Sequence, residues 1–164
     1  MIEEQEIVIA PPAAAPMIQE MVSQTIRAIY PRYYPAGAVD FFLKHHSLDN
    51  IKNDIEMGGV YLLGAGNSLQ GTVTVKNNDI LRLFVLPQYQ HQGFGRKLLD
   101  FAEQLVARDY GSVCVDASFP AKAMYLKRGY VETAYHNILT ENGDYLCYDR
   151  MEKFYDRQHN AGLL

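Results

Sequence analysis

The chain has 164 residues, 48% of them hydrophobic and 21% charged, with a net charge of −4 and a pI near 5.7. A chain of this length buries about 70% of its unfolded surface as one domain, here residues 1–164, and the composition excludes a disordered or fibrous protein. No run of Lys and Arg exceeds the pairs Arg96-Lys97 and Lys127-Arg128, which argues against a nucleic-acid binder, whose affinity rests on neutralised phosphates; a cationic small substrate suits the acidic field better.

The chain begins MIEEQE, acidic where a secretory signal is basic, and Pro11, Pro12 and Pro16 break its first apolar stretch. No segment reaches the ~18 apolar residues that span a bilayer. EIVIAP then reads as a short strand. From Pro16 to Ile29 apolar residues recur at helical spacing, at Met17, Ile18, Met21, Val22 and Ile26. YPRYYPAG, Tyr30 to Gly37, breaks that helix with two prolines and a glycine. A second helical piece spans Val39 to Lys44, and Ser47 is placed as N-cap of a third, Leu48 to Glu56, which Gly58 and Gly59 close.

The period then changes from helical to strand-like. VYLLGA, a turn at Gly66-Asn67-Ser68, LQGTVTV, a turn at Lys76 to Asp79, and ILRLFVLP form three strands on short turns, an antiparallel meander. A helix from Gly93 to Asp109 follows, with an apolar face of Leu98, Leu99, Ala102, Leu105 and Val106 and a stop at Gly111. SVCVDA is another buried strand, and Pro120 to Arg128 is a short helix with Pro near its start and Gly129 past its end. Two strands, YVETAYHNIL and DYLCYDRMEK, joined through Glu141-Asn142-Gly143, complete the fold before eleven polar, loose residues. Cys114 and Cys147 lie within strand-like runs, without paired metal spacing. They read as buried thiols in a reducing compartment, and the chain is placed in the cytoplasm.

The segment QHQGFGRKLLD, Gln90 to Asp100, sets two glycines one residue apart at the mouth of a helix. Such a turn lets the backbone approach an anion closely. A nucleotide P-loop is excluded, because Arg96-Lys97-Leu98 stand where GK[ST] is required. A dinucleotide fingerprint is a closer decoy, since a strand, GxG, a helix, a strand and the acid Asp116 occur in order. Its third glycine is missing at Leu98, Pro87 to Gln92 separate the strand from the first glycine, and a meander precedes it; this redox reading ranks well below the next.

The spans LRLFVLPQYQHQGFGRKLL and DASFPAKAMYLKRGY together resemble the GNAT superfamily of acyl-CoA-dependent N-acyltransferases. Gln90, His91, Gln92, Gly93, Phe94 and Gly95 match its [QR]-x-x-G-x-[GA] motif, and Ala121, Tyr125, Gly129 and Tyr130 match its A-x-x-x-Y-x-x-x-G-[FY] helix. The glycine motif alone is short and arises by chance; the pair, each on the right element, is far more specific. The resemblance covers Ile7 to Lys153. It implies the α/β (α+β) GNAT fold, a mixed and mostly antiparallel central sheet flanked by helices, with splayed strands forming a cofactor cleft.

It also implies acetyl-CoA as co-substrate, with no metal. Amides from about Gln92 to Arg96 would receive the pyrophosphate, with charge from Arg96 and Lys97. Phe84 and Val85 would pair with the pantetheine arm in the opening between Ile80–Leu86 and Ser112–Ala117. The Val85 N–H is the implied oxyanion donor and Tyr125 the implied acid for the thiolate; a packed aromatic is the other reading of Tyr125. Asp79 stands where some members carry a glutamate base, but it also suits the turn KNND, and a water chain serves equally. Arg82 is no base, since its guanidinium stays protonated. Ser118 replaces an Asn common in the family, which changes that cofactor contact.

The implied acceptor is a small-molecule or peptide amine, with neither nucleic acid nor membrane as partner, and homodimers are common in the family. Tyr33 and Tyr34 would either wall the acceptor pocket or belong to a surface loop; His45 and His46 mark a helix end and do not by themselves make a metal site. An acyl-CoA-binding regulatory module without turnover is the alternative function.

Overall fold

The computed structural model describes residues 5–65 and 67–155. The acidic start at 1–4, the turn residue Gly66 and the polar tail 156–164 lie outside the described residues. Seven strands, β1 Glu6–Ile9, β2 Val60–Ala65, β3 Ser68–Lys76, β4 Asp79–Val85, β5 Ser112–Ala117, β6 Val131–Leu139 and β7 Tyr145–Phe154, form one sheet in the order β1-β2-β3-β4-β5-β7-β6. All neighbours are antiparallel except β4 and β5. The helices are α1 Ala15–Ile29, α2 Ala36–His45, α3 Leu48–Glu56, α4 Phe94–Ala107 and α5 Phe119–Lys127. Among the described residues, no helix is long and apolar enough to cross a membrane.

Two features of local sequence set most helix starts. Proline stands in the first turn of α1 and α5, where its missing N–H costs nothing. The Ser47 hydroxyl accepts the Asn50 N–H at 3.2 Å and caps α3 as expected. Helix α2 starts three residues before the expected Val39. Pro35 is extended at its N-cap, and the Asp144 carboxylate, from the β6–β7 turn, accepts the Gly37 N–H at 2.9 Å. That partner is 107 residues away, so no local pattern reveals it.

Side chains alternate across the sheet and divide the interior in two. One face packs Leu62, Phe84 and Leu146 under α1, α2 and α3, where Ile18, Ile26 and Ile51 are fully buried; each such side chain contributes about 2 kcal/mol. The other packs Leu63, Val73, Val85 and Met151 against α4 and α5. On α4 the expected Leu98, Leu99, Ala102 and Val106 are buried, whereas Leu105 is half-buried and Glu103 takes an inside position. Burial is tolerable there because Arg128 Nε and Nη2 donate to the Glu103 carboxylate at 3.2 and 2.7 Å, and the Tyr130 hydroxyl donates at 2.9 Å. This cluster ties α4 to the end of α5.

At the sheet's edge β6 is exposed at all but one of its positions. Cys114 is buried as expected, but Cys147 is half-buried.

Candidate active site

Strands β4 and β5 pair only at Asp79 with Cys114 and Ile80 with Val115. Leu81 is then an extra residue in β4, since Thr74 of β3 faces Arg82 while Val75 faces Ile80. A bulge bends its strand and adds twist, and beyond it β4 has no partner on the β5 side. A cavity of about 510 Å³ occupies the opening, walled by Tyr30, Phe42, Phe84, Ser118 and Tyr125 and reaching His45, Asn53, Asp54, Arg82 and Asp116.

Hydrogen-bond phase decides which main-chain groups face that opening. The Leu86 N–H donates to the Gln70 carbonyl of β3 at 3.0 Å. Antiparallel pairs alternate between bonded and unbonded, so Phe84, opposite Thr72, turns its N–H and C=O toward β3, while Val85, opposite Gly71, does not. The groups facing the opening are those of Leu83 and Val85. This corrects the expectation for Phe84: its ring lines the cavity but its backbone is spent within the sheet. The Val85 carbonyl accepts the Gln90 Nε2–H at 3.0 Å, which leaves the Val85 N–H as the free donor and ties the glycine loop to the strand.

In that loop His91 has φ +60° and Gly93 φ +89°, both in the left-handed region that glycine adopts freely and other residues rarely do. The first bond inside α4 runs from the Lys97 N–H to the Gly93 carbonyl at 3.0 Å. The amides of Phe94, Gly95 and Arg96 therefore have no partner within the helix, and no side chain caps them. A Cβ on Gly93 would meet nothing within 4 Å, and one on Gly95 only Val85 Cγ2 at 3.8 Å. Open space in front of free amides at the positive end of a helix suits an anion. Of the other motif residues, His91 and Arg96 are exposed, Phe94 is buried against Tyr89, and the Gln92 amide donates to the Gln88 carbonyl at 3.1 Å. The Lys97 ammonium donates to the Gln5 carbonyl.

Three hydroxyl-bearing residues line the cavity: Tyr30, Ser118 and Tyr125. Tyr125, on α5, is buried with its ring 5.1 Å from that of Tyr130. Burial, with Tyr30 and Glu103 adding to it and Arg128 opposing, pushes the Tyr125 phenol well above its ordinary value of 10. Ser118 is the N-cap of α5 but makes no cap hydrogen bond with its side chain. Burial also raises the Tyr30 phenol, and the nearby Ser118 hydroxyl eases that shift.

The tyrosines singled out from YPRYYP are not the ones that wall the cavity. Tyr34 is buried; its hydroxyl accepts the Phe119 N–H at 2.7 Å and its ring stacks on Phe119 at 5.0 Å, so it anchors the start of α5. Tyr33 is half exposed. Tyr30, the first residue of the segment, is the one that lines the opening. It continues the α1 row Ile18, Val22, Ile26 at four-residue spacing, and that row was the signal available for it.

The far end of the cavity holds a buried cation. Arg82 is 4% exposed and donates to His46 Nδ1 at 3.2 Å, Thr74 Oγ1 at 3.0 Å and Asp54 Oδ2 at 3.1 Å. His46 thus accepts through Nδ1, and burial, then Arg82 and His45, hold its pKa well below 6.5. Asp79 sits at the closed end, where the strands still pair. Arg150 lies beside it as an ion pair, though without hydrogen-bond alignment, and also donates to Asp116 at 3.2 Å. Among the described residues, no group of three or more His, Cys, Asp or Glu is placed to hold a metal.

Known structures share this arrangement of chain. A GCN5-related N-acetyltransferase from Rhodopseudomonas palustris is 21% identical, with a TM-score of 0.83 over 94% of this chain and 99% of that one. The PaiA N-acetyltransferase of Thermoplasma acidophilum, solved with coenzyme A, is 19% identical, with a TM-score of 0.72 over 93% and 99%. YncA from Salmonella typhimurium, solved with its cofactor acetyl-CoA, is 16% identical, with a TM-score of 0.65 over 94% and 95%. No curated protein sequence matches the chain. These likenesses show the fold; the acetyltransferase (GNAT) domain model matches residues 29–153, so the chain belongs to the GNAT acetyltransferase family.

Proposed function

We propose that this chain is an acetyl-CoA-dependent N-acetyltransferase that acts on a primary amine, of a small molecule or a peptide, by direct attack. The observation that carries the reading is the joint placement of the unspent Val85 N–H and the Tyr125 hydroxyl at one opening, with free helix amides beyond the end of β4. The complexes of PaiA with coenzyme A and YncA with acetyl-CoA support the choice of donor.

The residues present fit that donor. In this reading the amides of Phe94, Gly95 and Arg96 hold its pyrophosphate, with the exposed Arg96 adding charge. Main-chain groups of Leu83 pair with the pantetheine arm as an added strand. The bound donor supplies an acetyl group activated as a thioester. The Val85 N–H hydrogen-bonds the carbonyl oxygen as negative charge develops there, and Tyr125 gives its proton to the sulfur as the C–S bond breaks and the C–N bond forms. Fixing both reactants in one cavity supplies much of the acceleration.

Asp79, locked beside Arg150 away from the cavity, favours a water relay for the amine proton. No cysteine lines the cavity among the described residues, which favours direct attack over an acyl-cysteine. A cytoplasmic location and a homodimer complete the reading; the exposed Val131, Tyr135 and Leu139 of the edge strand β6 favour a partner copy.

The test is to incubate the protein with acetyl-CoA and a panel of amines and to measure free thiol. Release that depends on the amine is expected. Stabilisation by acyl-CoA without turnover across a broad panel would instead mark a regulatory binding module, and stabilisation by NAD but not coenzyme A would sink both.

A further inference from the structure

Tyr125 alone is a costly acid for the proposed reaction. A coenzyme A thiol has an ordinary pKa of about 8.5 and a phenol about 10, so proton transfer to the thiolate already runs uphill. Burial pushes the Tyr125 phenol further up, which widens the gap. A buried site that must carry charge at the departing sulfur needs a second donor there.

The cavity contains one. Tyr30 closes α1 in a three-residue 3₁₀ turn with Pro31, its ring held edge-on to Phe42 at 4.8 Å and tilted against Phe84 at 6.3 Å. These contacts fix the ring in the wall formed by α1 and α2. Other buried tyrosines spend their hydroxyls on the fold: Tyr34 accepts from Phe119 and Tyr130 donates to Glu103. Tyr30 and Tyr125 make no such bond to the main fold and both line the cavity; the Ser118 hydroxyl hydrogen-bonds the Tyr30 phenol, and Tyr30 is near enough to raise the proton affinity of Tyr125. They enter from different sides, Tyr30 from the end of α1 and Tyr125 from α5.

We propose that Tyr30 is a second catalytic hydroxyl: its O–H donates to the departing sulfur while Tyr125 delivers the proton. The inference rests on the acetyl-transfer reading above. As the amine nitrogen bonds to the acetyl carbon, the C–S electron pair moves to sulfur, where two phenols meet it. The Tyr125 proton passes to sulfur, the amine proton leaves to water, and Tyr125 regains a proton from water, so charge and atoms balance. Tyr30 keeps its own proton throughout and lowers the barrier by holding developing charge.

Tyr30→Phe separates this role from packing, because the ring contacts with Phe42 and Phe84 survive. The expected result is a kcat lower by about tenfold or more, the worth of one hydrogen bond to a charged group, with the acetyl-CoA KM within about twofold and the melting temperature held. An unchanged kcat overturns the inference, as does a loss accompanied by a matching rise in KM or a fall in melting temperature, which would make Tyr30 a packing residue. Absence of amine-dependent turnover in the unaltered protein overturns the transferase reading and this inference together; turnover there, with equal kcat in the Tyr30→Phe variant, overturns this inference alone.

Discussion

The Gln90 side-chain amide donates to the Val85 carbonyl at 3.0 Å, and this bond joins the glycine loop to the strand that lines the cavity. The carbonyl is thereby satisfied, the Val85 N–H is left for the proposed oxyanion contact, and the loop is tied to the strand that carries it. Gln90→Glu removes the donor and sets a carboxylate against a carbonyl. The acetyl-CoA KM is expected to rise about fivefold, equivalent to about 1 kcal/mol, with a smaller change in kcat; steady-state kinetics decide it, and an unchanged KM would mean that the loop is positioned by its turns alone.

Gly93 carries φ +89° with open space where a Cβ would stand. A β-branched residue is a genuine outlier at positive φ and would also project into the space assigned to phosphate. Gly93→Val is therefore expected to weaken coenzyme A binding by more than about tenfold and to lower stability by about 1–3 kcal/mol. Calorimetric titration and a denaturant melt read the two effects separately. Unchanged affinity would reduce the loop to a turn.

Tyr125→Phe keeps the ring against Tyr130 and deletes the proposed acid. Turnover is expected to fall about 10²-fold or more, with little loss of coenzyme A affinity. Near-normal turnover would return Tyr125 to core packing.

His46 makes the fold sensitive to acid. Its folded pKa lies well below 6.5 because it is buried beside Arg82 and His45, while the unfolded chain binds a proton near pH 6.5. Stability from this residue is fully present above that pH and is lost as pH falls from there through the folded value, each unit of depression counting for about 1.4 kcal/mol. His46→Asn, which retains an acceptor for Arg82 Nε, is expected to flatten the decline in melting temperature between pH 7 and pH 5. Parallel declines in the two proteins would remove His46 as the cause.

Most of the sheet and every long helix were legible, because apolar period and turn residues act locally. The glycine loop was legible for the same reason: Gly93 announces its positive φ by being glycine. What the sequence concealed depends on partners distant in the chain. The start of α2 needs Asp144, the buried Glu103 needs Arg128 and Tyr130, and the exposure of β6 follows from its place at the edge. Within the site, the expected backbone pairing of Phe84 with the pantetheine arm conflicts with hydrogen-bond phase, which the β3 register fixes and composition does not. Tyr30 was hidden among the prolines that end α1, although its four-residue spacing from Ile26 continued the buried row. Asp79 shows the converse: its position in the motif suggested a base, and only the fold reveals Arg150 beside it.

The central claim is that the opening between β4 and β5 receives the acyl donor. A crystal structure of the protein with coenzyme A tests it most directly. The expected complex has the pantetheine arm hydrogen-bonded to the main chain of Leu83, its thiol end beside the Val85 N–H, and the pyrophosphate at the amides of Phe94, Gly95 and Arg96. Coenzyme A bound on another surface, with the opening left to solvent, would contradict it.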